Sequence, residues 1–289
     1  MFKALLRSMR TYQWVKNIIL FAALIFDRQL LNWQGVLRTL AGVILFCLLS
    51  SAVYLMNDLL DIEADRQHPR KKHRPIASGK LPIPIAITAS ASLGITSLTG
   101  GFFLSTAFFL VLLTYVIIQL AYSSFLKNQP IIDVMVLASG FLLRVGAGVT
   151  LIQVERFSPW LYMCTGLLAL YIGFGKRRAE LVSLQLSAEN HRKSLRGYSI
   201  DLIDKYLTIV SSATLMAYSL YTISAPSVSG NFNMLLTVPF VVYGIFRYNY
   251  LLEFKGVGGA PEEILMTDRP LQITLLLWGI SVIILFYLL

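Results

Sequence analysis

Long apolar runs separated by polar connections make up most of this chain. A transmembrane α-helix needs about 20 mostly apolar residues, and the hydrophobic pattern predicts about nine such spans. We place them at residues 13–27, 36–56, 83–101, 103–122, 131–152, 159–175, 206–225, 234–252 and 271–289. The pattern therefore predicts an all-α, polytopic membrane protein.

The composition agrees with a bilayer environment. Of the 289 residues, 56% are hydrophobic and 14% are charged, whereas about a quarter are charged in soluble domains. The spans leave little room for a soluble domain, so we predict one transmembrane domain over residues 1–289. Cys47 and Cys164, the two cysteines, fall inside predicted spans and have the spacing of neither a disulfide framework nor a metal site.

Two long polar connections, 57–82 and 176–205, follow the second and sixth predicted spans. They recur four spans apart on one predicted side of the membrane, which suggests two four-helix halves around a central cavity. The sequence similarity between the halves is too weak to establish an internal repeat.

The positive charge is distributed unevenly among the connections. The formal net charge is +10, from 25 Lys and Arg against 15 Asp and Glu, and the alternate connections hold only Arg28, Arg38 and Arg156. By the positive-inside rule, the N-terminus and the basic connections face the cytoplasm and the C-terminus faces out. We therefore predict that these basic residues interact with a membrane and that the protein binds no nucleic acid.

An acidic motif, Asn57-Asp58-x-x-Asp61-x-x-x-Asp65, follows the apolar end of the second span. Its helical spacing projects the four side chains from one face. Carboxylates crowded at the end of a membrane helix repel one another unless a cation offsets them, and Mg²⁺ shared with substrate phosphate does so. We predict all four as metal ligands and Asn57, Asp58 and Asp61 as catalytic residues. The alternative is a solvated helix end whose acids pair with nearby Arg and Lys.

A dense cationic connection follows, from His68 to Gly79. Arginine can grip a phosphate with two donors, so Arg74 is a candidate for substrate binding beside the carboxylates. The alternative is a basic patch on anionic lipid headgroups, and for Lys71 the two interpretations are equally balanced.

Further candidates lie at or inside later spans. Tyr122 and Lys127 close the fourth span with two groups that can donate to phosphate. Asp133 and Arg144 lie within the fifth span, about 16 Å apart along a helix axis. Buried charges in a span are costly and mark functional sites, and Arg144 is the stronger candidate. Pairing of Arg144 with an acid from another helix is the alternative.

The second long connection holds further charges. An amphipathic surface helix explains the residues over 181–193. The Gly-rich stretch 256–259 lacks the strand and helix context of a phosphate-binding fingerprint, so we assign it no nucleotide role. The charged candidates are Lys176, Arg177 and Glu180, at helical spacing, and the carboxylate pair Asp201 and Asp204.

Several motifs together resemble the UbiA-type intramembrane prenyltransferase superfamily, and within it the branch that transfers phosphoribose to decaprenyl phosphate. The resemblance covers nearly the whole chain, and the first acidic motif is specific. The motifs are Gln13-Trp14-Val15-Lys16-Asn17, Tyr54-Leu55-Met56-Asn57-Asp58, Asp61-Ile62-Glu63-Ala64-Asp65-Arg66, Arg74-Pro75-Ile76-Ala77-Ser78-Gly79, Gly175-Lys176-Arg177, Ala179-Glu180-Leu181, Arg192-Lys193-Ser194-Leu195 and Pro261-Glu262-Glu263.

The resemblance implies a fold, an activity and a location. The fold has nine transmembrane helices around a cavity with a cytoplasmic cap, here 57–82 and 176–205. The activity is Mg²⁺-dependent transfer of 5-phosphoribose from phosphoribosyl pyrophosphate to a polyprenyl phosphate, which releases pyrophosphate and supplies ribose and arabinose donors for the cell envelope. The location is the inner membrane of a bacterium, with a cytoplasmic active site, and homo-oligomer formation stays open.

The resemblance also implies the residues that contact substrate. The superfamily's second motif has Asp-x-x-x-Asp spacing; here Glu180 and the closer pair Asp201 and Asp204 replace it, which puts a second Mg²⁺ site in doubt. The implied substrate-binding residues are Lys16, Arg66, Lys71, Arg74, Tyr122, Lys127, Arg144, Lys176, Arg177, Glu180, Asp201 and Arg247.

Two other activities fit parts of the pattern. A prenyltransferase uses the same Mg²⁺ motif to ionise a prenyl diphosphate and alkylate an aromatic or other acceptor. A transporter or flippase for anionic lipids would use the charged loops as gates, but transporters place ion sites near the membrane midplane. Here the charges cluster at one membrane face, which favours an enzyme.

Overall fold

The computed structural model describes residues 1–68, 71–155, 158–185, 195, 197–224, 232–254, 264 and 267–288, and in this part of the chain all regular structure is helical. Shorter 3-10 helices cover Thr11–Leu20, Lys71–His73, Leu126–Asn128 and Phe232–Thr237. The α-helices are α1 (Phe2–Ser8), α2 (Phe21–Phe26), α3 (Trp33–Leu60), α4 (Ile62–Gln67), α5 (Ile83–Leu104), α6 (Thr106–Ser124), α7 (Ile132–Val149), α8 (Pro159–Gln185), α9 (Ile200–Ser224), α10 (Val238–Phe254) and α11 (Arg269–Tyr287).

Among these residues, seven helices are long and apolar enough to cross a membrane. They are α3, α5, α6, α7, α9, α11 and the continuous helical stretch Asn233–Phe254, which contains α10. The all-α, polytopic fold class is therefore confirmed. The count of nine spans stays a prediction, because the predicted spans 13–27 and 159–175 fall outside this set.

The predicted first span differs most from a regular helix. The apolar run over 13–27 consists of the ten-residue 3-10 helix Thr11–Leu20 and the short α2. A 3-10 helix rises about 2.0 Å per residue, against 1.5 Å in an α-helix, so this segment is more extended than the hydrophobic pattern implied.

The predicted connection 176–205 is shorter in the structure. Helix α8 continues past the charged residues that follow Gly175 and ends at Gln185, and α9 begins at Ile200. The ion pair between Arg177 and Glu180, three residues apart on α8, stabilises this extension. Most of the predicted surface helix over 181–193, and all of 256–259, lie outside the described residues.

Local capping sets the start of two spanning helices. The side chain of Asn32 accepts a hydrogen bond from the Gly35 N–H at 3.2 Å and begins α3. Asp268 accepts from the Leu271 N–H at 3.0 Å and begins α11, with Pro270 in the first turn. Both side chains satisfy N–H groups that a helix start leaves without an intrahelical acceptor.

The chain folds into two compact units. The first comprises Met1–Leu24, Gln29–Ser123 and Leu143–Val154. In it α3 packs along α5, and a buried core includes Phe46, Leu49, Phe108, Leu112 and Tyr115.

The second unit comprises Ile25–Arg28, Ser124–Leu142 and Glu155–Leu289. Its most extensive helix packing joins α8 and α9, and its core includes Val134, Tyr171, Phe174, Ile203 and Tyr248.

A close backbone approach in the first unit requires glycine. A Cβ atom at Gly148 of α7 would lie 2.1 Å from the carbonyl oxygen of Leu20, at the end of the 3-10 helix. We therefore expect Gly148→Ala to destabilise the protein by about 1–3 kcal/mol, because the backbone must shift to remove the clash.

Thermal unfolding in detergent checks this expectation. Gly279→Ala is the matched control, since a Cβ at Gly279 on α11 meets no heavy atom within 4 Å. Equal unfolding midpoints for the two variants would contradict the close approach.

Candidate active site

Two buried carboxylates and two arginines form a cluster where α3 ends. The side chains of Asp58 and Asp65 are each 3% exposed. Arg74 donates to Asp58 Oδ1 at 3.1 Å and to Asp65 Oδ2 at 2.7 Å, and Arg10 donates to Asp58 Oδ1 at 2.7 Å. Burying carboxylates is costly without cations, and these contacts supply them.

The helix turns at the centre of the acidic motif. Helix α3 ends at Leu60, Asp61 has φ −94° and ψ 10°, and α4 begins at Ile62. Asn57 and Asp58 therefore lie on α3, Asp65 lies on α4 and Asp61 lies between them, so the four do not project from one continuous helix as predicted. Asp58 and Asp65 still converge on Arg74. Asn57 accepts a hydrogen bond from the Ser123 hydroxyl at 2.7 Å, which links the motif to the end of α6.

Arg10 is a residue of this cluster that the sequence did not indicate. It precedes the first apolar run and belongs to none of the predicted motifs. Its guanidinium also stacks on the ring of Tyr54, with 4.9 Å from Cζ to the ring centroid. In the sequence, Arg10 is one basic residue three positions before Gln13-Trp14, and this signal is too weak to identify it as a site residue.

Hydrogen bonds along α3 hold the N-terminal segment in place. The Trp14 indole donates to the Ser51 hydroxyl at 3.0 Å, and that hydroxyl donates to the carbonyl of Met9 at 3.0 Å. The Tyr54 hydroxyl donates to Gln13 at 2.8 Å. These contacts position Arg10 beside Asp58, which lies 48 residues later in the chain.

The buried Arg144 of α7 lies in a polar and aromatic environment in the first unit. It donates to Asn17 Oδ1 at 2.7 Å and to the Tyr115 hydroxyl at 3.3 Å. Its guanidinium stacks on the rings of Phe46 and Tyr115. These contacts help stabilise a charge within a spanning helix.

The other predicted substrate residues of the first unit lie nearer the surface. Arg66 is exposed and pairs with Glu63 at 2.9 Å on α4, and Lys71 is exposed on the short 3-10 helix. Lys16 and Tyr122 are half-buried. Arg74 is joined by hydrogen bonds to both buried carboxylates. The substrate-binding roles of all these residues, Arg74 included, stay predictions.

A separate buried ion pair organises the second unit. Arg177 Nε lies 2.7 Å from Asp133 Oδ2, and Arg177 and Asp133 are both fully buried. The same guanidinium reaches Glu180 at 2.5 Å. Arg177 and Glu180, which were both predicted to bind substrate, therefore contact each other. Their substrate-binding role stays a prediction.

Tyr198 extends this pair to the chain before α9. Its hydroxyl donates to Asp133 Oδ1 at 2.9 Å and accepts from the Ile131 N–H at 2.5 Å. Ile131 has φ 68°, a left-handed conformation that β-branched residues rarely adopt. Burial raises the pKa of the Tyr198 phenol, so it remains a neutral donor to the carboxylate.

Arg178 joins three helices of the second unit. It contacts Asp204 of α9 at 2.6 Å, the Leu252 carbonyl of α10 at 3.0 Å, and Glu253 of α10. This side chain was not among the predicted site residues, and its partner Asp204 was predicted as half of a carboxylate pair. Asp204 therefore pairs with an arginine in the structure.

The remaining residues of the second unit that were predicted to bind substrate are half-buried or take part in ion pairs. Asp201 is exposed and pairs with Lys205 at 2.7 Å. Arg247 forms two hydrogen bonds with Asp268, at 3.1 and 2.8 Å. Lys127 and Lys176 are half-buried.

The first-unit cluster has the donor chemistry that Mg²⁺ prefers. Among the described residues, no three His, Cys, Asp or Glu side chains are grouped closely enough to hold a metal ion by themselves. Mg²⁺ usually needs only one or two carboxylates when substrate phosphates complete its coordination. Asp58 and Asp65 supply two carboxylates, so the cluster fits an ion that arrives with a phosphorylated substrate.

Comparisons with known proteins place the fold and the family. The model of the UbiA prenyltransferase family matches residues 18–256. A solved UbiA homolog from Archaeoglobus fulgidus, bound to DMAPP and Mg²⁺, superposes with a TM-score of 0.73 at 18% identity, covering 99% of each chain.

Named relatives match over most of their length. The chain is 34% identical over 276 residues to the decaprenyl-phosphate phosphoribosyltransferase of Mycobacterium tuberculosis (strain CDC 1551 / Oshkosh), covering 94% of this chain and 90% of the relative. It is 33% identical over 291 residues to the enzyme of the same name from Corynebacterium glutamicum, covering 98% and 86%. The resemblance inferred from the motifs is confirmed, and the chain is a multi-pass membrane enzyme of the UbiA prenyltransferase family.

Proposed function

We propose that this enzyme transfers 5-phosphoribose from phosphoribosyl pyrophosphate to a polyprenyl phosphate and releases pyrophosphate. The observation that carries the proposal is the match to decaprenyl-phosphate phosphoribosyltransferases over nearly the full length of both chains. The acidic cluster at the end of α3 supports it, because both the donor and the leaving group carry a diphosphate.

The proposed donor site is the cluster of Asp58, Asp65 and Arg74, with Asn57 and Asp61 at the same helix junction. The oxygen-bearing side chains of Asn57, Asp58, Asp61 and Asp65 would hold Mg²⁺, which would neutralise negative charge on the departing diphosphate. Arg74 bridges the two buried carboxylates, and we propose that it also donates to phosphate oxygens of the donor beside them.

The proposed acceptor needs little activation. A polyprenyl phosphate is already anionic at neutral pH, so its oxygen can attack the anomeric carbon without a strong general base. The described cluster contains acids and arginines, which agrees with this chemistry. The roles proposed for Lys127 and Lys176 toward the phosphate groups rest on the family resemblance alone.

The proposed location rests on the distribution of basic residues along the chain and on the organisms of its relatives. The relatives at 33–34% identity are bacterial, which supports a bacterial inner membrane. The basic connections support a cytoplasmic N-terminus and active site, with the C-terminus outside. A product of this kind would serve as a pentose donor for the cell envelope.

Prenyl transfer is the second candidate function. The family model and the A. fulgidus homolog bound to DMAPP favour it, since a prenyl diphosphate carries the same diphosphate group. The two functions differ in the group attached to that diphosphate, and therefore in the donor that the enzyme consumes.

We expect the purified enzyme to consume phosphoribosyl pyrophosphate in the presence of a polyprenyl phosphate and Mg²⁺. Mass spectrometry of the extracted lipid should show a gain of one phosphoribosyl group, and EDTA should abolish the gain until Mg²⁺ is restored. Parallel reactions with DMAPP or geranyl diphosphate and an aromatic acceptor serve as the comparison. Consumption of a prenyl diphosphate instead would establish the second candidate.

We expect Asp58→Asn to lower kcat/KM at least about 100-fold, because it removes a buried charge that the proposed Mg²⁺ site uses. Glu63→Gln is the matched control: it makes the same acid-to-amide change on α4, where the Glu63 side chain is 76% exposed. Steady-state assays at saturating Mg²⁺ compare the variants. Wild-type turnover by Asp58→Asn would remove this carboxylate from the reaction.

A further inference from the structure

One oxygen of Asp58 carries two guanidinium contacts. Arg10 lies 2.7 Å and Arg74 lies 3.1 Å from the same Oδ1 atom. Arg74 also contacts Asp65, whereas the contact of Arg10 within the cluster is with Asp58. A divalent cation that entered alone would therefore compete with two guanidinium groups for Asp58.

The side chain of Arg10 is accessible although its partner is buried. The Arg10 side chain is 22% exposed, against 3% for Asp58. Its stacking on Tyr54 guides the guanidinium without enclosing it. Arg10 is therefore the member of this pair that solvent and a soluble ligand can reach.

The backbone at Arg10 shows local strain. Arg10 has φ 52° and ψ 49°, in the left-handed region that non-glycine residues occupy rarely. Such strain persists where surrounding contacts fix the chain, and it concentrates at ligand clamps and switch regions. The hydrogen bonds at Met9 and Trp14, on either side, provide that fixation.

We propose that Arg10 is an exchangeable counter-ion of Asp58. In the protein without ligand it neutralises this carboxylate. When Mg²⁺ arrives with the donor diphosphate, the ion takes over Asp58 and the Arg10 guanidinium binds a phosphate oxygen. This inference rests on the proposed Mg²⁺-dependent reaction of a diphosphate donor.

The exchange makes binding ordered. Without diphosphate, a divalent ion must displace Arg10 and leave its charge unpaired, so the ion binds weakly. With diphosphate, the displaced guanidinium gains a charge-assisted hydrogen bond to phosphate, so the ion and the anion bind together. Arg10 therefore opposes metal binding alone and favours binding of the metal–diphosphate complex.

Electron paramagnetic resonance of Mn²⁺ tests this on the purified full-length enzyme, with no turnover required. We expect Arg10→Gln to bind Mn²⁺ alone several-fold more tightly than wild type, because the competing cation is gone. With pyrophosphate present, the same variant should bind the Mn²⁺–pyrophosphate complex about tenfold more weakly, because a charged hydrogen bond is lost. The two changes have opposite signs, which a general loss of structure does not produce.

Arg7→Gln is the matched control. It removes the same charge from an exposed position in the last turn of α1, three residues earlier, and we expect wild-type affinity in both titrations. Unchanged affinities in Arg10→Gln, or a decrease in both, would overturn the inference while leaving the proposed function standing. Failure of the wild-type enzyme to bind Mn²⁺ with pyrophosphate would overturn both.

Arg10→Lys keeps the test decisive if Arg10→Gln does not fold. Lysine retains the charge but lacks the planar fork of donors. We expect wild-type affinity for Mn²⁺ alone and several-fold weaker binding of the pyrophosphate complex. Weaker binding of Mn²⁺ alone as well as of the complex would overturn the inference.

Discussion

The candidate active site depends on keeping two carboxylates charged at the end of a membrane-spanning helix. Asp58 and Asp65 are almost fully buried, and Arg74 bridges them while Arg10 contacts Asp58. Removing one partner of a buried ion pair typically costs about 3–5 kcal/mol, because the remaining charge stays buried. Asp65 on α4, Arg74 in the basic loop and Arg10 in the N-terminal segment therefore meet at this helix end.

The same constraint recurs in the second unit with different residues. Arg177 and Asp133 form a fully buried pair that Tyr198 completes, and Arg178 joins α8 to α9 and α10 through two carboxylates and a carbonyl. Buried charges in the described part of this unit therefore have protein partners. This arrangement accounts for the helical continuation of α8 beyond the predicted span, since its arginines pair with carboxylates on α8 itself and on neighbouring helices.

The chemistry of the first-unit cluster suits a diphosphate more than a bare metal ion. Arg10 and Arg74 already pair with its two buried acids, so the ligand we propose is one that brings positive and negative charge together. A metal–diphosphate complex is such a ligand, and it is common to phosphoribosyl and prenyl donors. Family membership alone therefore leaves the transferred group open, and the full-length match to phosphoribosyltransferases favours phosphoribose.

Much of the architecture follows from local sequence. Apolar runs of sufficient length specify spanning helices because a bilayer requires every backbone polar group to be bonded internally. The spacing of Asn57, Asp58, Asp61 and Asp65 identified the acidic motif, since neighbours on a helix surface are separated by three or four residues. The 3-10 geometry of Thr11–Leu20 did not follow, because hydrophobicity reports burial and carries little information about helix type.

The sequence by itself determined the membrane class, the acidic motif and the family, because these depend on patterns within short segments. Only the tertiary structure decided which charges meet. Arg10 reaches Asp58 across 48 positions, and Asp133 of α7 reaches Arg177 of α8, through helix packing that no local pattern encodes. Ion pairing depends on distances of a few ångströms in space, and separation along the chain does not fix those distances.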